Sequence, residues 1–234
     1  DSAKTENWAI GLIKVLKAWQ YMHQKIGYWD YVDATGAIQN NKTASPTYVD
    51  LQRGGMWLIR HGFTMADAGH TQSDYILRGT SAFTWAWAHF NSSVGYFYNG
   101  VGTDPVKAIE ADAFFISGFV NGRLLINGEP SLSSLSASYA AYDSALNLSL
   151  TWMTSNISQI LSDGARTPNR LFFAALAFNL GGKALSNTAY KNQGISLAAT
   201  AAARQDAAGW FDEKGGWDSS YQGVSLLNLC QLFF

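Results

Sequence analysis

The stretch Gly209-Trp-Phe-Asp-Glu-Lys-Gly-Gly-Trp-Asp-Ser-Ser-Tyr-Gln-Gly-Val-Ser-Leu226 holds an unusual density of side chains able to do chemistry. Asp212, Glu213 and Asp218 could supply the two carboxyl groups that glycoside hydrolysis places on either side of a scissile bond, and Asp30, Asp33, Glu110 and Asp112 belong to the same pool. Asp218 also reads as a helix cap, because its oxygens precede the helical pattern that begins at Ser219. Trp210 and Trp217, with Tyr28, Trp29 and Tyr31 on an earlier loop, offer flat aromatic faces on which a sugar can stack. His61 stands beside Arg60, so a proton acceptor and a cation for a carboxylate adjoin; packing in the core is the alternative for that histidine. His70 sits in a turn with Asp67 nearby, and His23 and His89 lie near helix ends. No two histidines stand three or four residues apart and no dense carboxylate loop occurs, so neither a metal site nor a cofactor is expected.

These residues need helices to hold them. Apolar residues recur at three and four positions, and Gly, Pro and Asn clusters punctuate them. The pattern predicts helices over 5–25, 47–65, 71–90, 105–125, 131–161, 168–185, 188–206 and 219–234, with a break near Asp143. Asp104 before Pro105 and Thr167 before Pro168 each set a capping oxygen ahead of proline at the first helical position. The helices that carry Phe115 with Phe119, and Phe172 with Phe178, are apolar nearly all round and should be buried on most sides, whereas 188–206 is small and polar as an outer helix would be. Strand signals are nearly absent. An all-α single domain over 1–234, made of stacked helical hairpins in two layers, follows. The long loops before 47 and before 219 echo each other in aromatic, Asp and Gly content, which predicts repeated loop-then-helix units on one rim.

The segment 209–226, with Arg170 to Gly182 and Asn187-Thr-Ala-Tyr190 as a neighbouring hairpin, resembles the loop and inner-helix start of (α/α)-toroid carbohydrate-active enzymes, above all polysaccharide lyases of the alginate-lyase and heparinase-like type. The resemblance covers roughly the last third of the chain. It implies a complete or incomplete (α/α) toroid and β-elimination in a groove across it. That reaction needs a group to neutralise the uronate carboxylate, a base for the proton beside it and an acid for the leaving oxygen. On this pattern Tyr221 and His61 are the proton-transfer candidates and Arg60 or Arg170 meets the carboxylate, while Trp217, Trp210, Tyr28, Trp29, Tyr31, Gln222, Glu213 and Asp218 would bind substrate. The Asn-Asn-His motif of those groups is missing, since Asn40 and Asn41 precede Lys42. Ion pairing within the protein is the alternative for Arg170, and rim packing for Tyr221.

Composition limits the partners. Charged residues are 14% and the net charge is -1, which gives no basic footprint for nucleic acid. No run approaches the roughly 20 apolar residues of a membrane span. The first residues carry no signal-peptide pattern, so the sequence reads as mature or trimmed, and its stop inside the apolar pattern at Leu232 to Phe234 leaves room for more chain. Cys230 is expected as a small buried hydrophobe. Sequons at Asn41, Asn91, Asn147 and Asn156 are compatible with export. The expectation is a secreted or periplasmic lyase acting on an anionic polysaccharide or oligosaccharide; a glycoside hydrolase on the same scaffold and a non-catalytic carbohydrate-binding helical domain are the rivals.

Overall fold

A computed structural model describes residues 32–39, 48–64, 72–98, 105–216 and 218–233. The described chain is mostly helical: α1 (Gly54–Thr64), α2 (Gln72–Ala88), α3 (Pro105–Asn127), α4 (Ser133–Tyr139), α5 (Asp143–Ser155), α6 (Ile157–Asp163), α7 (Pro168–Ala184), α8 (Thr188–Ala202) and α9 (Ser219–Phe233). A short antiparallel pair, β1 (Phe90–Asn91) and β2 (Tyr96–Phe97), joins α2 to the loop before α3. A 3-10 turn at Asp50–Arg53 runs directly into α1. The expected helix over 5–25 lies outside the described residues, as do Asp104 and its cap. The long helix expected over 131–161 is interrupted near Asp143, as its sequence suggested, and again at Asn156, whose side-chain amide turns back to the Trp152 carbonyl.

Helix directions follow from contacts. Arg53 lies over the Phe114 ring at 5.0 Å while Arg60 Nη2 donates to Asn121 Oδ1 at 3.1 Å, the same sequence offset, so α1 and α3 run parallel. The Phe114 and Phe173 rings are 4.4 Å apart and Glu110 pairs with Arg170, so α7 runs parallel to α3. Asn121 Nδ2 donates to Gln231 Oε1 at 2.9 Å, and Val224 shares a cavity wall with Phe114, which makes α9 parallel to both. Behind this layer, α2 and α8 run the opposite way: Gly55 meets Gly79 whereas His61 meets Tyr75, and Gly194 meets Asn179 whereas Gly182 meets Lys191. These crossings need residues without side chains. A Cβ on Gly79 would lie 2.4 Å from the Gly55 carbonyl oxygen, and one on Gly194 would lie 2.5 Å from the Asn179 nitrogen.

The core sits between the layers. Phe83, Trp87, Phe97, Phe115, Phe119 and Tyr139 pack mostly edge to face, and all are buried. α7 is buried on nearly all sides while α8 buries only Gly194, Leu197 and Ala201, the contrast that their sequences predicted. Asp112 belongs to this core: it accepts from Ser149 Oγ at 2.8 Å and from the Phe97 amide at 3.3 Å, and burial drives its carboxyl well above the ordinary range. It ties β2 and α5 to α3 and is removed from the pool of catalytic carboxylates.

The expected echo between the two long loops is a repeated backbone knot. Asp33 N–H donates to the Ala37 carbonyl at 2.9 Å and Asp206 N–H to the Trp210 carbonyl at 2.8 Å; each knot turns through a glycine with φ 89°, Gly36 and Gly209. Bridges Val32–Ile38 and Gln205–Phe211 close them. A glutamine from the following helix then clamps each one. Gln52 takes the Ile38 N–H at 2.8 Å and donates to its carbonyl at 2.9 Å, while Gln222 takes the Phe211 N–H at 2.8 Å and donates to its carbonyl.

Candidate functional site

Because α1, α3, α7 and α9 are parallel, the starts of α1, α7 and α9 come together at one end of the layer, beside the first half of α3. A cavity of about 210 Å³ opens there, walled by Arg53, Phe114, Asn169, Arg170, Phe173, Glu213, Lys214 and Tyr221. α7 and α9 begin at this end, and the positive ends of their dipoles lie beside the cavity, although carboxylates already accept from their first-turn amides, Glu213 from Asn169 and Asp218 from Ser220 and Tyr221.

The loop 205–218 delivers the acidic and basic groups. Glu213 N–H donates to the Gly216 carbonyl at 2.9 Å, with Lys214 at φ 58° and Gly215 at φ 90° between them, the two left-handed residues of a tight hairpin turn. Lys214 N–H donates to the Arg166 carbonyl at 2.7 Å, which fastens the turn to the start of α7. Glu213 then reaches back: its Oε1 accepts the Asn169 N–H at 3.1 Å. Thr167, expected to cap α7, instead turns its hydroxyl to the Asp163 carbonyl at 2.7 Å, so a distant glutamate satisfies the helix donor. Glu213 is 6% exposed, its Oε2 has no hydrogen-bond partner, and burial pushes its carboxyl up against the opposing pull of the Asn169 amide and Arg170.

Arg170 lies one turn into α7 and pairs with Glu110, whose carboxyl is also raised by burial against the pull of Arg170. Arg53 pairs with Asp50 at 3.2 Å. Tyr221 is 37% exposed and sits in the first turn of α9. Asp218 caps that turn, accepting from the Ser220 and Tyr221 amides at 2.9 and 3.2 Å, so its role is structural. Gln222 is the clamp on Phe211, and Trp210 stands at the surface with 37% exposure. Asp212 is exposed and Asp33 is bound up in its own knot through Thr35 and Ala37.

The structure therefore brings together Tyr221, Arg170 and Glu213 and adds Arg53, Lys214 and Asn169. It separates His61, which is 2% exposed and packs edge-on to Tyr75 between α1 and α2. Burial in the helix pair leaves His61 without access to the cavity. Arg60 lies about 10 Å beyond Arg53, from seven residues of helical rise, and lines a separate cavity of about 380 Å³ with Asn121, Lys183 and Cys230. Tyr28, Trp29, Tyr31 and Trp217 lie outside the described residues, as do His23, His70 and Asp30. Sequence reading missed Arg53 and Lys214; the signals were the spacing of Arg53, Trp57 and Arg60 from the 3-10 turn into α1 and the turn pattern of Glu-Lys-Gly-Gly. Among the described residues no cluster of His, Cys, Asp or Glu could hold a metal ion, and no helix is long and apolar enough to cross a membrane. The chain matches no protein-family model, no curated protein and no solved structure.

Proposed function

We propose that this chain carries the catalytic site of a secreted or periplasmic polysaccharide lyase that cleaves a uronic-acid-containing polysaccharide by β-elimination. The layer of α1, α3, α7 and α9 with its antiparallel backing supports reading the scaffold as part of an (α/α) toroid. One observation carries the functional reading: a tyrosine, two arginines and a lysine meet at one cavity beside the N-termini of α7 and α9. Arg170 and Arg53 receive the uronate carboxylate and, with the helix ends, stabilise the charge that spreads onto it as the adjacent carbon loses its proton. The Tyr221 oxygen, acting as the phenolate, takes that proton. The electron pair of the broken carbon–hydrogen bond forms the ring double bond as the glycosidic carbon–oxygen bond breaks, and the Tyr221 hydroxyl returns the proton to the leaving oxygen, which regenerates the phenolate. Burial disfavours the charged form of Glu213 and so lessens its repulsion of the substrate carboxylate.

A second reading draws on Glu110 and Glu213, both raised by burial and both within the influence of Arg170, as a hydrolytic carboxyl pair. Incubation with alginate, glucuronan, pectate and glycosaminoglycans separates the two. Elimination gives rising ultraviolet absorbance from unsaturated uronate ends; reducing ends without absorbance mean hydrolysis and overturn the lyase reading. Absence of both signals across the panel overturns cleavage of these uronate polymers and favours glycan binding.

A further inference from the structure

Beneath the rim, a second cavity of about 270 Å³ opens between α1, α3, α7 and α9. It shares Arg53, Phe173 and Val224 with the rim cavity, so the two adjoin. Its wall carries an amide that the fold leaves unused. Asn228 is 3% exposed, and its Nδ2 has no hydrogen-bond partner. Gln231, one turn further along α9, accepts from Asn121 through Oε1 but leaves its own Nε2 without an acceptor. A buried donor left unmade keeps the penalty of its lost hydration. Leucine would fill the same space on α9 without that cost.

The rest of the lining suggests what the amides await. Trp57 and Phe173 supply aromatic surface, and Ser117 keeps its lone pairs available because its proton goes to the Phe114 carbonyl at 2.8 Å. Among the described residues the wall contains no carboxylate. Aromatic faces beside amide donors match a pyranose, whose ring faces are apolar and whose rim is hydroxyl. Each cavity alone is smaller than the roughly 300–1,000 Å³ of a small-molecule site, and joined they reach that range.

We infer that this inner cavity is a second sugar subsite, which takes the ring next to the uronate at the rim and binds its hydroxyls through Asn228 and Gln231. This rests on the proposed reading of the rim cavity. The test is calorimetric titration of the intact protein with methyl glycosides of glucuronic, mannuronic and galacturonic acid and with the matching disaccharides. A disaccharide should bind about tenfold more tightly than its monosaccharide, a difference of about 1.4 kcal/mol. Asn228→Leu should remove that advantage, leave monosaccharide affinity unchanged and melt no lower than the wild type, because an unmade buried donor has gone. A merely structural amide would give the opposite pair of results: an altered melting temperature with the disaccharide advantage intact. If the advantage persists in both Asn228→Leu and Gln231→Leu, the subsite is overturned while the rim reading stands. Tight binding of a neutral disaccharide that Asn228→Leu weakens keeps the subsite and overturns the acidic preference of the rim. No binding of any of these sugars overturns both.

Discussion

The knots at 32–38 and 205–211 share backbone, glycine, glutamine clamp and a buried closing residue, Ile38 or Phe211, yet their glycine corners occupy opposite environments. In the first, Ala37 is fully buried, and a Cβ on Gly36 would lie 2.7 Å from that of Ser81 on α2. In the second, the residue matching Ala37 is Trp210, 37% exposed, and the nearest atom to a Cβ on Gly209 is 3.9 Å away. One knot is wedged under a helix and anchors α1. The other seats Phe211 against Phe172 but leaves its Gly209–Trp210 corner uncovered on the rim, and the chain that leaves it makes the turn that carries Glu213 and Lys214 into the cavity. The same local device gives stability where it is covered and presentation where it is not. Its energetic and catalytic contributions should therefore separate by mutation.

Tyr221→Phe should have the largest effect, since it removes the proton-transfer group beside the second knot and nothing that holds the fold. A loss of about 10²–10⁴-fold in cleavage rate is expected, with an unchanged melting curve. Retained activity would leave the exposed knot without its proposed purpose. Next come the clamps. Gln52 is fully buried and its loss strands the Ile38 amide and carbonyl, so Gln52→Ala should lower unfolding free energy by about 3 kcal/mol. Gln222 is half-buried, and Gln222→Ala should cost about 1 kcal/mol but reduce cleavage more than Gln52→Ala does, once both are assayed well below their melting temperatures. Equal stability losses measured by urea unfolding would erase the distinction between the knots.

How far this could be read in advance depends on which physical signal each feature leaves. The helices were legible because burial on one face imposes a 3.6-residue recurrence and because Pro105 and Pro168 mark starts. The cap of α7 was not, because Glu213 reaches it from another loop and no local pattern encodes that contact. Within the site, Tyr221, Arg170 and Glu213 were legible as polar groups at helix starts and in a turn-rich loop. His61 was misplaced for a geometric reason: adjacent residues on a helix point about 100° apart, so Arg60 faces the groove while His61 faces α2. The unused amides of Asn228 and Gln231 had no sequence signal, since an asparagine in an apolar helix looks the same whether its partner is present or absent.

Two carboxyl groups on the second loop sharpen the comparison further, because their proton affinities are displaced in opposite directions. Glu213 is raised by burial. The stability linked to its proton is therefore complete below the unfolded value of about 4.3 and is lost as pH rises through the folded value. Glu213→Gln keeps an acceptor for the Asn169 amide and cannot ionise. It should melt above the wild type at pH 7, with the gap closing toward pH 4, and a gap that widens on acidification would contradict a carboxyl raised by burial.

Asp218 gives the smallest effect and the opposite slope. The Ser220 hydroxyl first, with the Tyr221 and Ser220 amides, lowers its carboxyl. Stability from this cap is present above the unfolded value of about 3.9 and is lost as pH falls through the folded value. Asp218→Asn retains an oxygen acceptor and loses only the charge, which solvent screens. A slightly lower melting temperature at pH 7 should therefore converge with the wild type as pH falls through the folded value. Asp33 supplies the internal control: burial acts to raise its carboxyl, and hydrogen bonds from Thr35, Gln39 and Ala37 outweigh that and hold it low. Asp33→Asn should show the same slope with a larger drop, because Asp33 holds the covered knot together. A larger drop at Asp218 would mean that the exposed loop, and not the wedged one, anchors the rim.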